Sequence, residues 1–507
     1  MKVVQDMNVK SNTVLNSAPL TKEEALRCEP DTKVLLCGLM QGRNFGDVVI
    51  SDCVKYLIKK SAKKDGLSNV KINTLDIRRQ KDAKSLNKVR NSDLVMFPGG
   101  GFIKYKQESL PGYMIRVISR AEKYGIPVAF NAVGMEGYDE QDEGCQLLYD
   151  MLHSRCTKYL TSRDYADTVN ETYYKDGFLT AKRVADPAVW AADTYKIKRN
   201  ENSDVVGLGV AREGLFSDYG LPLHKEDLLT IWSDLIKALE AEGIKYKLFT
   251  NGLRQDEEFL TDLLIYMGRE ERREELSLPS AENAKQLVEY IAGFSSIIAC
   301  RMHANIIAFS LGVPSVAFVW NEKLSFFGKS IHCSERYLQY TELKDTKRIV
   351  EILKKAQQEG YEEGILKREK DSAYKSVRDY FSPFAKELLL NRRRDLSKKK
   401  LVCYGLPNLD SPKLNNEFFE NYIDYYVTDD EAQVGTTCLS KPVYHSKKLR
   451  KLIKPFVIVS ETLEYAHCAK VLERYKYKEK FDFTNMHSYT RYVYKKGEIF
   501  LSEPKIK

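Results

Sequence analysis

The sequence predicts an α/β protein with two Rossmann-like lobes and a smaller C-terminal α/β domain that resembles half of a Rossmann sheet. Short apolar runs that suit buried parallel strands alternate with stretches that suit helices. A second series of this kind begins near Asp204, and a third follows a charged segment at 391–400. Because such alternation produces parallel sheets, we expect ligands to bind outside the carboxyl ends of the strands.

Changes in this pattern divide the chain into six segments. In order, they are a polar lead-in at 1–30, an N-terminal α/β lobe at 31–195, a C-terminal α/β lobe at 196–335, helices that pack back on the lobes at 336–390, a basic linker at 391–400 and a small basic domain at 401–507. Two lobes followed by returning helices are typical of an enzyme with a ligand cleft.

Composition indicates a protein of the cytoplasm. No window approaches the ~18 uncharged apolar residues of a membrane span, and residues 1–30 lack the apolar core of a signal peptide. The ten cysteines include no C-x-x-C pair. We therefore expect reduced, buried thiols and no zinc framework.

The net charge of +9 is concentrated near the C-terminal end. From residue 391 onward, 23 Lys and Arg face 15 Asp and Glu, or +8, which leaves +1 for the first 390 residues. Anionic lipids at the inner face of a membrane or a polyanionic glycan would suit such a surface, and a solvated face without a partner is the other interpretation. Nucleic acid is not expected, because no binding motif for it is present.

The stretch 291–323 concentrates the groups that could carry chemistry. An apolar strand predicted at 297–300 leads through Arg301 and His303 into a helix at 304–311. A helix start at a strand end favours an anion, and a guanidinium fits carboxylate or phosphate oxygens. An imidazole exchanges a proton near neutral pH. The structural alternative is that His303 packs the helix and Arg301 pairs with an acid.

The first strand, predicted at 34–37, leads to a second candidate loop. Asn44, Gly46 and Asp47 precede a helix expected at 48–60. Strand, glycine-containing turn and helix form an anion-binding arrangement. The segment matches neither the dinucleotide fingerprint nor the Walker loop, so it predicts neither a dinucleotide nor ATP. Capping of the helix by Asp47 is the structural interpretation.

Other strand ends carry glycines or arginines. Gly99, Gly100 and Gly101 follow a strand predicted at 94–97 and permit close approach of backbone to a ligand, unless they form only a tight turn. The arginines that follow predicted strands are Arg163, Arg212 and Arg301. This repetition favours a ligand with several negative charges.

The order and spacing of these elements resemble the polysaccharide pyruvyl transferase family over residues 31–330. The elements that carry the resemblance are Asn44-Phe45-Gly46-Asp47, Pro98-Gly99-Gly100-Gly101, Ser162-Arg163-Asp164, Asp186-Pro187, Arg212, Arg301-Met302-His303, Leu311-Gly312-Val313-Pro314 and Asn321-Glu322-Lys323. The resemblance does not extend to the third domain.

The resemblance implies a fold like the GT-B glycosyltransferases and a transferase reaction. The family moves the pyruvyl unit of phosphoenolpyruvate onto sugar hydroxyls, usually closing a ketal and releasing phosphate, in the biosynthesis of capsule or exopolysaccharide. His303 would be catalytic, and the residues expected to bind phosphoenolpyruvate are Arg163, Arg301, Arg212 and Lys323. The acceptor, a sugar or lipid-linked oligosaccharide, would meet Asn44, Gly46, Asp47, Gly99, Gly100 and Gly101. Neither a metal nor another cofactor is expected.

Two other functions stay open at this point. A glycosyltransferase could use a nucleotide sugar in the same cleft, and a non-catalytic assembly protein of a glycan pathway could use the lobes to hold a partner. The third domain has an acidic pair, Asp429 and Asp430, where a ribose could bind. It keeps only Gly405 of the glycine fingerprint, so a recognition or assembly role is an equal alternative.

Overall fold

The computed structural model describes residues 32–40, 44–67, 70–79, 83–104, 109–392, 399–409, 419–420, 423–450, 454–479 and 482–486. The predicted lead-in at 1–30 and most of the linker at 391–400 lie outside these residues. One compact unit spans 32–386, and the described residues from 387 onward belong to a second unit.

The first lobe is built on a parallel sheet of seven strands. The strands are β1 Thr32–Gly38, β2 Val70–Asp76, β3 Leu94–Phe97, β4 Gly100–Lys104, β5 Val128–Glu136, β6 Thr157–Ser162 and β7 Lys182–Arg183. Their order is β2-β1-β3-β5-β6-β7, with β4 paired to β5. The helices are α1 Phe45–Lys64, α2 Ala83–Arg90, α3 Ser109–Lys123, α4 Glu143–Leu152, α5 Ala166–Thr172 and α6 Ala191–Tyr195. Strands β3 and β5 are buried almost throughout, as their apolar sequences predict.

The second lobe has a parallel sheet of five strands in the order β12-β11-β10-β8-β9. The strands are β8 Val205–Gly209, β9 Lys245–Phe249, β10 Ser296–Ala299, β11 Ser315–Val319 and β12 Tyr337–Gln339. The helices are α7 Lys225–Ala241, α8 Arg254–Tyr266, α9 Arg273–Leu276, α10 Ala284–Ala292, α11 Met302–Leu311, α12 Glu322–Ser330 and α13 Thr346–Glu359. Helix α11 is buried over its whole length, so its apolar sequence faces protein on every side.

A long helix, α14 Ile365–Arg392, returns from the second lobe to the first. Its Ser376 hydroxyl donates to Asn131 Oδ1 at 2.6 Å and lies 2.9 Å from the hydroxyl of Thr161. The Tyr159 hydroxyl donates to the Ser376 carbonyl at 2.9 Å. These buried bonds anchor α14 on the first lobe. The two parallel sheets with their helices confirm the prediction of two Rossmann-like lobes resembling a GT-B fold.

Some local predictions are wrong. The three-glycine run, for which a tight turn was the alternative interpretation, leads into strand β4, with φ of 130° at Gly99 and 115° at Gly100. The sequence favours Ser280 as the N-cap of a helix at 281–290, but helix α10 begins at Ala284 and is capped by Asn283, whose side chain accepts from the Gln286 N–H at 3.0 Å. A side chain at the residue before the first helical position suits this bond, which position 280 cannot make.

The C-terminal unit is a third, mostly parallel sheet. Its strands are β13 Leu401–Tyr404, β14 Tyr425–Thr428, β15 Thr437–Cys438, β16 Lys441–His445, β17 Phe456–Val459 and β18 Phe483–Asn485, and its helix is α15 Tyr465–Arg474. The sequence favours a helix after Pro442-Val443, but strand β16 continues to His445 and a short 3₁₀ helix, Ser446–Arg450, follows it. The carboxylate of Asp429 accepts from Tyr404 and Ser446, so both its oxygens are engaged within the protein. None of the helices in the described ranges has the length and hydropathy needed to span a bilayer.

Candidate functional site

The centre of the candidate site is a contact between Arg163 of the first lobe and His303 of the second. Arg163 Nη1 donates to Asp186 Oδ2 at 2.6 Å and lies 3.3 Å from His303 Nε2. An arginine has only donors, so Nε2 accepts, and the proton of the neutral imidazole is on Nδ1. The three side chains therefore form a hydrogen-bonded row that joins the two lobes.

Local structure fixes each member of this row. Arg163 directly follows β6, and its N–H donates to the Val133 carbonyl at 3.1 Å. Asp186 caps a short 3₁₀ helix by accepting from the Ala188 N–H at 2.8 Å. His303 is the second residue of α11. Each side chain thus emerges at a strand end or a helix start, where parallel α/β sheets bind ligands.

Burial and the neighbouring acids together set the charge states of Arg163 and His303. Burial alone would lower the pKa of Arg163, but Asp186 and Asp164 outweigh it and raise that pKa above its ordinary value. Burial lowers the pKa of His303 below its ordinary value, although Asp186 and Asp47 oppose the shift. Near pH 7 the site therefore holds a charged guanidinium beside a neutral imidazole.

The start of helix α1 lies against the imidazole. A β-carbon placed on Gly46 would be 2.4 Å from His303 Nδ1, so only glycine leaves room for the ring at this position. Asn44 Nδ2 donates to Asp47 Oδ2 at 3.0 Å, while Asn44 Oδ1 is buried without a partner among the described residues. The loop assigned from sequence to the acceptor side therefore borders His303 itself.

A second bridge between the lobes pairs Lys323 with Glu136. Lys323 Nζ donates to Glu136 Oε1 at 2.8 Å, and the Tyr219 hydroxyl donates to Oε2 at 2.9 Å. Burial disfavours the charged form of Glu136, but Lys323 and Lys104 outweigh burial and lower its pKa to about 2. Burial lowers the pKa of Lys323, although Glu136 opposes this shift.

Arg301 and Arg212 are held together by a buried acid. Arg301 donates to Asp256 from Nε at 3.0 Å and from Nη2 at 2.5 Å. The Arg212 backbone N–H donates to the same carboxylate at 2.9 Å, while its guanidinium pairs with Asp218. The alternative that Arg301 pairs with an acid thus describes its position in this structure.

The glycine run passes beside the acids of the first lobe. A β-carbon on Gly101 would lie 3.0 Å from Glu136 Oε1, and one on Gly100 would lie 3.8 Å from Asp47 Oδ1. One on Gly99 would lie 3.1 Å from Ile50. Small residues here let β4 run close to the site.

The structure brings Arg163, His303 and Gly46 into contact with one another around the imidazole. Lys323 lies close by and bridges the lobes through Glu136. The carboxylates that engage the cations are residues that the sequence analysis did not name as site members: Asp186, Glu136, Asp256 and Asp218. Only Asp186 had a signal, because it belongs to the Asp186-Pro187 element of the resemblance. In the described part of the chain, no group of three or more His, Cys, Asp or Glu residues could hold a metal ion.

Comparisons with known proteins identify one family and a set of similar folds. The family model of polysaccharide pyruvyl transferase matches residues 44–322. The UDP-GlcNAc 2-epimerase of Methanocaldococcus jannaschii is 12% identical, with a TM-score of 0.44 over 69% of this chain and 99% of that one. That of Neisseria meningitidis bound to UDP-GlcNAc is 10% identical, with a TM-score of 0.43 over 70% and 100%. E. coli heptosyltransferase WaaC with ADP is 13% identical, with a TM-score of 0.35 over 64% and 99%. No curated protein sequence matches significantly.

Proposed function

Since this chain belongs to the polysaccharide pyruvyl transferase family, we propose that it transfers the pyruvyl unit of phosphoenolpyruvate onto hydroxyls of a cell-surface polysaccharide or its lipid-linked precursor. The product is a ketal, and phosphate is released. The observation that carries the proposal is the contact of Arg163 with a buried, neutral His303 where the two lobes meet.

The charges of the site suit this donor. Phosphoenolpyruvate has a carboxylate and a phosphate, which bind best to several converging cations. Arg163, Lys323 and Arg301 each donate to a carboxylate of the protein, at 2.5 to 2.8 Å. The oxygens of the donor would bind these cations together with the protein carboxylates or in their place. In the described part of the chain, Nη1 of Arg301 has no partner and is available to the donor.

The reaction needs one group that carries a proton. Negative charge brought by the donor raises the pKa of His303, so the imidazole can become charged and protonate the methylene carbon. One sugar hydroxyl then adds to the neighbouring carbon and returns its proton to the imidazole. A second hydroxyl forms the other C–O bond as the phosphate leaves with the electrons of the broken C–O bond, and its proton goes to phosphate. Arg163 and Arg301 neutralise the charge on the departing group.

The remaining residues concern the acceptor and the location of the protein. Asn44, Gly46, Asp47 and the glycine run would border the acceptor sugar, and no metal or nucleotide is required. The basic linker and C-terminal domain would bring the chain to a lipid-linked acceptor at the inner face of the membrane, because residues 391–507 together carry +8 of the net charge. Co-sedimentation with anionic but not neutral liposomes tests this contact, and equal sedimentation with both would contradict it.

A ligand screen by thermal shift tests the donor. Phosphoenolpyruvate is compared with UDP, GDP and CMP on the wild type, on Lys323→Ala and on the matched control Lys329→Ala, which changes an exposed lysine of the same helix. A ligand at 100 times its Kd stabilises by ~2.7 kcal/mol. We expect stabilisation by phosphoenolpyruvate alone, retained in the control and reduced in Lys323→Ala. Stabilisation by a nucleotide instead would indicate a glycosyltransferase that uses a nucleotide sugar.

A further inference from the structure

Two aromatic rings stand against the ammonium of Lys323. The ring centroid of Trp320 lies 4.6 Å from Lys323 Nζ, and that of Tyr219 lies 5.8 Å from it. The two rings also contact each other, with centroids 4.9 Å apart and an angle of 60° between their planes. Neither residue belongs to the elements that carry the family resemblance. The ammonium therefore has two rings beside it in addition to the carboxylate of Glu136.

A ring holds a cation differently from a carboxylate. A cation within about 6 Å of a ring centroid is attracted by the ring quadrupole, most strongly where water is excluded. Only 12% of the Lys323 side chain is exposed, so this attraction acts at nearly full strength. It uses none of the N–H groups of the ammonium. Among the residues that the structure describes, Glu136 is the only hydrogen-bond acceptor of Nζ, which leaves two of its three N–H groups for a ligand.

Each ring is fixed by a hydrogen bond of its own. The indole N–H of Trp320 donates to the Cys300 carbonyl at 2.7 Å, and Cys300 directly precedes Arg301. The Tyr219 hydroxyl donates at 2.9 Å to Glu136 Oε2, on the carboxylate that also holds the ammonium. The rings therefore connect the ammonium to the strand end of Arg301 in its own lobe and to an acid of the other lobe.

Burial shows how the two rings would act. Trp320 is 6% exposed, so its indole acts through neighbouring protein groups and not on a ligand. Tyr219 is 36% exposed, but its hydroxyl is already engaged. It is the last residue of a short 3₁₀ helix, Ser217–Tyr219, which the ion pair between Asp218 and Arg212 holds in place. Both rings are thus fixed by protein contacts before any ligand binds.

We infer that Trp320 and Tyr219 are positioning residues of the donor site, which hold the Lys323 ammonium in one place and leave two of its N–H groups for the oxygens of phosphoenolpyruvate. The inference rests on the proposed function. A second carboxylate in place of the rings would neutralise the charge and compete with the donor, whereas a ring does neither. Loss of a ring should therefore weaken donor binding through Lys323 and leave proton transfer at His303 in place.

The test measures the dissociation constant of phosphoenolpyruvate by isothermal titration calorimetry. Tyr219→Leu and Trp320→Leu each remove a ring, and Tyr219→Phe removes only a hydroxyl. Tyr246→Leu and Tyr246→Phe are the matched controls, since Tyr246 is half-buried on β9 of the same lobe and its hydroxyl also donates to a glutamate, Glu240, at 3.0 Å. The substitutions at 219 are repeated in Lys323→Ala, which completes a double-mutant cycle.

We expect Tyr219→Leu and Trp320→Leu each to raise Kd roughly 5- to 30-fold, the range that a buried cation–π contact provides. Tyr219→Phe keeps the ring and should raise Kd less than Tyr219→Leu. In Lys323→Ala, loss of the Tyr219 ring should have no further effect on Kd. In phosphate release, KM for the donor should rise while kcat holds, because His303 keeps its place. The Tyr246 variants should change neither constant.

The acylation rate of Lys323 by acetic anhydride, followed by mass spectrometry of its peptide, is a second measurement that needs no donor. Removal of either ring should speed this reaction, since it exposes the amine and disfavours its charged form. If Trp320→Leu does not fold, the variants at the partly exposed Tyr219 decide the question.

Two results would overturn the inference. One is an unchanged Kd in both ring-removing variants. The other is an equal loss of affinity with and without Lys323, which would show that the rings do not act through this cation. Failure of phosphoenolpyruvate to bind the wild type, with acylation of Lys323 still dependent on the rings, would instead refute the proposed donor and leave the contact of the rings with Lys323 standing.

Discussion

A single methyl group added at Gly46 tests whether the position of His303 matters for the reaction. In Gly46→Ala the new β-carbon would lie 2.4 Å from Nδ1 and 2.6 Å from the β-carbon of His303. Non-bonded heavy atoms prefer ~3.5 Å or more, so the imidazole or the start of α1 must shift by about 1 Å. Such a shift breaks or lengthens the 3.3 Å contact between Nε2 and Arg163.

The size of the effect follows from this displacement. A misplacement of about 1 Å in a catalytic group costs on the order of 100-fold in rate, and overpacking costs roughly 1–3 kcal/mol of stability. Alanine is otherwise better than glycine in a helix by up to ~1 kcal/mol. Gly112→Ala is the matched control, because Gly112 lies in helix α3 and a β-carbon there would meet nothing within 4 Å.

The assay is phosphate release from phosphoenolpyruvate in the presence of p-nitrophenyl glycosides as acceptors, with thermal unfolding recorded in parallel. Gly46→Ala should lower kcat about 100-fold and keep most of the stabilisation by phosphoenolpyruvate. Gly112→Ala should leave the rate unchanged and hold or raise the unfolding temperature. A Gly46→Ala enzyme with wild-type kcat would refute the reasoning, because the imidazole could then move without consequence.

Three further predictions concern stability and charge. The pKa of Glu136 falls from 4.5 to about 2 on folding, so its roughly 3 kcal/mol of stabilisation is present above pH 4.5 and is lost as the pH falls toward 2. The urea midpoints of the wild type and Glu136→Gln should therefore converge as the pH falls from 4.5 to 2. A constant difference between the two midpoints over this range would contradict the prediction. Ser376→Ala leaves Asn131 Oδ1 without its buried donor and should cost about 1–3 kcal/mol in urea unfolding, whereas a cost near zero would show that another donor replaces the hydroxyl. Asp186→Asn removes the closer of the two carboxylates that compensate the buried Arg163 and leaves Asp164 at 3.8 Å, so it should cost up to roughly 3–5 kcal/mol in the absence of phosphoenolpyruvate and less in its presence. Equal losses with and without the donor would argue against a donor at this cation.

The sheets could be predicted from sequence because their signals are local. Apolar runs such as β5 and β10 are short, bounded by turn residues and buried on both faces, and they alternate with helical segments. His303 and Arg163 could also be proposed as site residues from position alone, since both follow strands. What could not be predicted is that they touch, because 140 residues separate them in the chain.

The acids that engage the cations were missed for the same reason. Glu136 lies 187 residues before Lys323, and Asp256 lies 45 residues before Arg301. Neither acid stands in a motif, and Asp256 near the start of α8 has the sequence appearance of an ordinary residue of a first helical turn.

The acids explain how a site for an anion can fold before the anion arrives. Arg163 is nearly fully buried, and a buried cation without a partner costs several kcal/mol. Asp186 and Asp164 compensate it, Glu136 compensates Lys323, and Asp256 compensates Arg301. On the proposed function, binding of phosphoenolpyruvate would exchange one set of oxygens for another, so its net affinity would be smaller than the number of cations suggests. Two of the cations also bond to the other lobe: Arg163 to His303, and Lys323 to Glu136. A donor that binds these cations would therefore alter the bonds that join the lobes.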